Sequence, residues 1–156
     1  MALEEKAFGV KSYTVCSVVV GVMTDQTVLF STTDGVTTIT LNRPEVLNAL
    51  NLSASEALAK AIQSCKDDDN VRPVLLTGAG RGLCAGGDMK AAWEHHRVGG
   101  DVRHFFRDLT VPLHRAVTDI RLMEKPVIGA INGTAGGGGM SLQWLVISAL
   151  PPRMLG

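Results

Sequence analysis

The chain has 156 residues, 46% of them hydrophobic, with 15 basic side chains against 15 acidic ones. That length holds one domain with a moderate core, and the composition excludes a disordered chain. The charge balance and an aromatic content of 4% exclude the basic stripe and the stacking platform that a nucleic-acid partner requires.

The N-terminal apolar run Val15-Cys-Ser-Val-Val-Val-Gly-Val-Met23 is too short to span a bilayer. Glu4, Glu5, Lys6 and Lys11 mix charges before it, and no small-residue cleavage site follows, so a signal peptide is not expected either. Residues 1–22 read as an upstream extension outside the domain, from a misassigned start, and 23–156 as the domain proper, its first strand beginning near Thr27.

Two β-rich runs, 27–32 and 36–42, flank Thr33-Asp34-Gly35, and Asp-Gly between such runs signals a hairpin. Asn42-Arg-Pro-Glu45 then breaks the strand. Ser53-Ala-Ser-Glu56 matches a capping box, and the helix it opens carries Ala54, Leu58, Ala61, Ile62 and Cys65 on one face. Lys66-Asp-Asp-Asp-Asn70 reads as a solvated loop ending that helix, and 73–77 as a strand entered at Pro73.

A glycine-rich segment follows, Thr77-Gly-Ala-Gly-Arg-Gly-Leu-Cys-Ala-Gly-Gly-Asp88. A short helix is expected over 88–93 and a mobile connection over 94–100. Asp101 is placed to cap a longer helix with Val102, Phe105, Phe106, Leu109, Leu113, Val117 and Ile120 at core spacing, kinked at Pro112. A strand at 126–131 leads into a second glycine segment, Asn132-Gly-Thr-Ala-Gly-Gly-Gly-Gly-Met140, before the apolar run 142–150 that begins as a helix. Strands alternating with helices predict an α/β domain.

Both strand-to-glycine turns have one chemical use in common. Without Cβ atoms the backbone can approach a ligand closely. N–H groups at a helix start point outward with partial positive charge. Two such donors aimed at one oxygen make an oxyanion hole. Other motifs fail on spacing. No Gly-Lys-Ser/Thr follows the first segment, Gly78-Ala-Gly80-Arg-Gly82 is not a dinucleotide fingerprint, and Gly139-Met-Ser141-Leu-Gln143 lacks the closing glycine of a serine-hydrolase elbow. Cys16, Cys65 and Cys84 are scattered, as core thiols in a reducing compartment are, so a cytoplasmic location is the expectation. No metal site is expected: the cysteines lack zinc spacing, and His95, His96, His104 and His114 form no ligand pair.

Three blocks carry a family resemblance: Leu41-Asn-Arg-Pro-Glu-Val-Leu-Asn-Ala-Leu50, Arg81-Gly-Leu-Cys-Ala-Gly-Gly-Asp88, and Lys125-Pro-Val-Ile-Gly-Ala-Ile-Asn-Gly-Thr-Ala-Gly-Gly-Gly-Gly-Met140. In order and spacing they resemble the crotonase superfamily, the enoyl-CoA hydratases and isomerases, over residues 27–142. The resemblance implies an α/β fold of repeated ββα units wound into a superhelix, here incomplete at the C-terminus. It implies an acyl-CoA thioester as substrate, no cofactor besides, and homo-oligomers, trimers or dimers of trimers. It assigns the oxyanion-hole N–H groups to Gly87 and Gly138. Ala85, Gly86 and Asp88 would hold the adenine end of CoA, and Asn48, Ala49 and Leu50 would lie along the CoA moiety.

The chain also departs from that pattern. Ser141 stands where hydratases of the family carry an acid, and a hydroxyl is no base near neutrality, so capping a helix is its expected role. The second acid of the family, about 20 residues further on, has no counterpart before Gly156. Leu145-Val-Ile147 reads as the next strand drawn forward, and Pro151-Pro152 as the end of regular structure. The expectation is a truncated gene product or an altered isoform, with apolar surface on 142–150 left uncovered. Its parent activity tilts towards isomerase, with a non-catalytic acyl-CoA binder or partner subunit, and a thioester hydrolase, as the alternatives.

Overall fold

Five strands in the order β3-β4-β5-β7-β9 make the sheet on which the rest of the chain is hung. The structure is a computed structural model, which describes residues 11–15, 18–22 and 27–149, with side-chain surroundings over 27–146. The expected start at 23–26 and the expected end of structure at Pro151-Pro152 lie outside the described residues.

β3 (Val28–Thr33) and β4 (Val36–Leu41) form the expected antiparallel hairpin, with Val28 opposite Leu41 and Thr33 opposite Val36. The turn residues Asp34 and Gly35 both take positive φ, 52° and 78°, as a two-residue hairpin turn with the strands' own twist demands. β5 (Val74–Gly78), β7 (Val127–Ala130) and β9 (Ile147–Ala149) then add in parallel.

β5 and β7 are each followed by a short second strand and a helix. β5 leads to β6 (Gly82–Cys84) and α2 (Met89–Arg97); β7 leads to β8 (Thr134–Ala135) and α4 (Gly138–Leu145). β6 and β8 pair in parallel as a separate two-stranded sheet. The ββα repetition is therefore present, in a mixed α/β fold. Strands also lie before position 27: β1 (Lys11–Val15) and β2 (Val18–Val22) pair antiparallel, within the segment read as an extension.

α1 (Leu52–Asp67) and α3 (Val102–Leu122) lie side by side on the sheet, burying Leu58, Ile62, Leu109, Ala116 and Ile120 with Ile39, Leu41, Val74 and Leu76. Lys66 Nζ reaches the buried Asp119 carboxylate at 2.7 Å, and Arg115 donates to Gln63, which fixes the two helices in register. Lys125, just before β7, closes the C-terminal end of α1. Its ammonium donates to the carbonyls of Cys65 and Asp68 at 2.7 Å and of Lys66 at 3.3 Å.

Several boundaries differ from expectation. The cap of α1 is Asn51, whose side chain accepts from the Ala54 N–H, and Ser53 lies inside the first turn. The helix continues to Asp67, so only part of the acidic run is loop. α2 continues to Arg97, which makes most of the expected mobile connection helical. α3 is capped by Asp101 as expected and runs on through Pro112, which lies inside it. α4 begins at Gly138 rather than 142, and β9 begins two residues later than the strand drawn from sequence. Among the described residues, no helix is long and apolar enough to cross a membrane.

Candidate functional site

Both glycine segments converge where β6 and β8 end. On the first, the turn at 47–48 and the residues after it lie beside 85–88, joined by an isolated bridge at Leu50. Ala85 N–H donates to Leu47, Leu50 N–H to Gly86, and Asp88 N–H to Leu50, the last two at 2.7 and 2.8 Å. In that parallel bridge Leu50 pairs with Gly87 and bonds to Gly86 and Asp88 on either side of it, so the Gly87 N–H faces away from Leu50.

Side chains brace this first loop. Asn48, 1% exposed, donates from Nδ2 to the carbonyls of Ala79 and Gly82 at 2.9 and 2.7 Å, and its Oδ1 accepts from the Arg43 N–H. Arg43 pairs with Asp88 at 2.8 Å and donates to the Ala49 carbonyl. The other Asp88 oxygen caps α2 by accepting from the Ala91 N–H. Asn132 Nδ2 holds the carbonyls of Gly78 and Gly80 from the side of the second loop.

Bare backbone contact holds the second loop. Gly136 N–H donates to the Cys84 carbonyl at 2.9 Å. A Cβ on Gly139 would lie 2.2 Å from that same carbonyl oxygen, and one on Gly86 would lie 2.9 Å from the Gly136 oxygen. At these two positions only glycine lets the loops touch. The Cys84 thiol, caught at the contact, accepts from the Gly86 N–H, and burial pushes its pKa up from the usual value. It is a packed thiol, with no feature of an activated nucleophile.

α4 starts at this junction from Gly137, at φ 48°, with no side chain capping it. Gly139 and Met140 N–H groups bond back to Gly136 and Gly137. Among the described residues no hydrogen bond engages the N–H of Gly138 or of Gly87. Both glycines are half-buried, and apolar side chains close in on them. Phe106 Cε1 lies 3.0 Å from the Cβ position of Gly87; Leu113 Cδ2 and Leu50 Cδ1 lie 3.1 and 3.9 Å from that of Gly138.

The structure thus brings Gly87, Gly138, Ala85, Gly86 and residues 48–50 into one neighbourhood. Ala85 is exposed; Asn48, Ala49, Leu50, Gly86 and Asp88 are buried. Ser141 does not cap α4: it lies inside the helix, exposed, four residues past Gly137. Sequence reasoning singled out neither Arg43 nor Asn132 for this site. It gave Phe106 and Leu113 core spacing; Leu113 does pack against the core, while both are partly exposed and also lie against the glycines. Their spacing on α3 was the available signal; the Arg43–Asp88 pair left none, since 45 residues separate the partners. Among the described residues no group of three metal-binding side chains occurs. A groove of about 550 Å³ between α1 and α3, with Leu52, Ala59, Val111 and Pro112 in its lining, includes neither glycine loop.

The sequence profile of the enoyl-CoA hydratase/isomerase family matches residues 36–146. The 1,2-epoxyphenylacetyl-CoA isomerase of Escherichia coli (strain K12) is 40% identical over 113 residues, which covers 69% of this chain and 40% of that protein. A solved structure from Pseudomonas aeruginosa superposes with a TM-score of 0.73 at 31% identity, covering 82% of this chain and 54% of that one. The crystal structure of an enoyl-CoA hydratase/isomerase from Mycobacterium paratuberculosis gives 0.68 at 32% identity, covering 80% and 49%. The chain therefore spans about two fifths of the length of curated relatives it matches.

Proposed function

The chain belongs to the enoyl-CoA hydratase/isomerase family, and from that premise we propose that it binds an acyl-CoA thioester with the carbonyl oxygen between the N–H groups of Gly87 and Gly138. One observation carries this reading. The two loops touch at Gly86 and Gly136–Gly137, and the next glycine on each, Gly87 and Gly138, has an N–H that no described group engages.

The chemistry follows from charge. Removing a proton next to a thioester carbonyl, or adding a nucleophile at the β-carbon, moves negative charge onto that oxygen. Two fixed N–H donors in partly apolar surroundings stabilise the enolate more than the neutral carbonyl, and one donor of this kind contributes about 3 kcal/mol to the barrier. The start of α4 adds its partial positive charge at the same point. This step calls on no metal or redox group.

The proton itself needs another carrier. Asp88 is tied to Arg43 and to the cap of α2, and Ser141 has no acidity near neutrality. In this reading water or a group outside the two loops moves the proton. The commitment of Asp88 favours a second reading, thioester binding without turnover by this chain.

Gly138→Pro tests the proposal. Gly138 is the first residue of α4, where proline is tolerated, so the substitution deletes the N–H with little cost to the helix. Turnover of crotonyl-CoA is expected to fall about a hundredfold, with weaker thioester binding by calorimetry. Unchanged binding and turnover in a folded variant sink the reading. Wild-type binding without turnover selects the second one.

A further inference from the structure

The two glycines share a neighbour. Phe106 lies against Gly87 and Leu113 against Gly138, and these side chains are seven residues apart on α3, two turns along one strip. Thr110 falls between them on that strip, and its hydroxyl donates to the Phe106 carbonyl, which leaves the strip apolar towards the glycines. The side chains nearest the Cβ positions of Gly87 and Gly138 are Phe106, Leu113 and Leu50. Leu50 is buried and locked by its bridge to Gly87. Leu113 is a single flexible side chain, half-buried.

Phe106 differs from both because it is braced. Phe105 meets its ring edge-on at a centroid distance of 5.3 Å, and His95 from α2 packs on Phe105 at 5.7 Å. The His95 ring in turn fills the space over Gly100, where a Cβ would come within 2.2 Å of Nε2. Moving Phe106 aside therefore means undoing an aromatic stack that reaches to the turn between α2 and α3.

We propose that Phe106 is a specificity-determining residue, a fixed wall beside Gly87 that admits short acyl groups and excludes long ones. This rests on the thioester reading above and names the substrate class within it. A rigid ring discriminates by steric cost: a chain that fits short of it binds undisturbed, and a longer one has to displace it.

Calorimetric titration of the full chain with butyryl-CoA, octanoyl-CoA and CoA tests this. The wild type is expected to bind butyryl-CoA more tightly than octanoyl-CoA. Phe106→Ala should move the octanoyl-to-butyryl affinity ratio by about tenfold towards octanoyl-CoA. Phe106→Leu, which keeps the packing volume closer to the original, should move it part of the way and carries the test if the alanine variant does not fold. A merely structural role weakens both thioesters by the same factor; that result, an unchanged ratio, or a wild type that prefers octanoyl-CoA overturns the wall while leaving the thioester reading intact. A wild type that binds neither thioester overturns both.

Discussion

The first glycine loop is braced by side chains, whereas the second is pressed against it as nearly bare backbone. Asn48, Arg43 and Asp88 tie residues 79–91 to the segment after β4. Gly136 and Gly139 rest directly on Cys84, where no side chain would fit at 139. The two loops present the same kind of group, an unengaged N–H, yet they are vulnerable in opposite ways. One fails when a side chain is taken away, the other when one is added.

The sharpest break is expected from Gly139→Ala. A Cβ 2.2 Å from the Cys84 oxygen and 2.7 Å from the Cys84 Cβ meets backbone that cannot swing aside, so the loops must separate. A loss of about 3 kcal/mol in urea unfolding is expected, and a wild-type midpoint would refute the close contact. Asn48→Ala comes next. It removes three hydrogen bonds from a buried residue at φ 56°, leaves two carbonyls and one N–H without their partner, and should cost about 2 kcal/mol. Alanine at the neighbouring exposed Ala85 is already the native residue, so Ala85→Ser serves as the silent control on the same loop.

The smallest effect is a pH slope at the contact between the loops. Burial holds the Cys84 thiol protonated above its usual 9.0, while the unfolded chain releases that proton from pH 9 upwards. Stability is thus fully present below pH 9 and falls as pH rises towards the native thiol's own value, by about 1.4 kcal/mol per pH unit for one thiol. Cys65, pushed up to about 12 by burial, adds a slope of the same sign. Cys84→Ala should remove one share of the decline measured between pH 9 and 10; an unaltered slope would place the thiol in contact with water.

Much of this was legible in the sequence where the signal is local. Asp34-Gly35 between β-branched runs announced the hairpin, and the glycine runs after two strand signals announced the loops. The helix caps were less legible, because Asn51 and Ser53 both suit the role. Leu50 decides between them: its bridge to Gly87 keeps the chain extended up to Asn51, and that bridge is tertiary. α2 was read short because it buries only Ala92, leaving little periodicity to detect. The bracing of the site was illegible for the same reason as the cap. Asn48 looks like one polar residue in a break, and the two carbonyls it holds on the glycine loop lie more than 30 positions away.

Lys125 has a consequence for the order of events during synthesis. The last turn of α1 is closed by an ammonium group that follows it by some 60 positions. As the chain emerges, residues 52–67 can coil early, and the Asp68 carbonyl finds the Val71 N–H at once, but those of Cys65 and Lys66 wait for an ammonium that arrives only after α3 has been made and β7 is about to join the sheet. The same three bonds then seal α1, position the entry to β7 and bring the second glycine loop towards the first. The segment that completes the site thus also completes the helix that came before it.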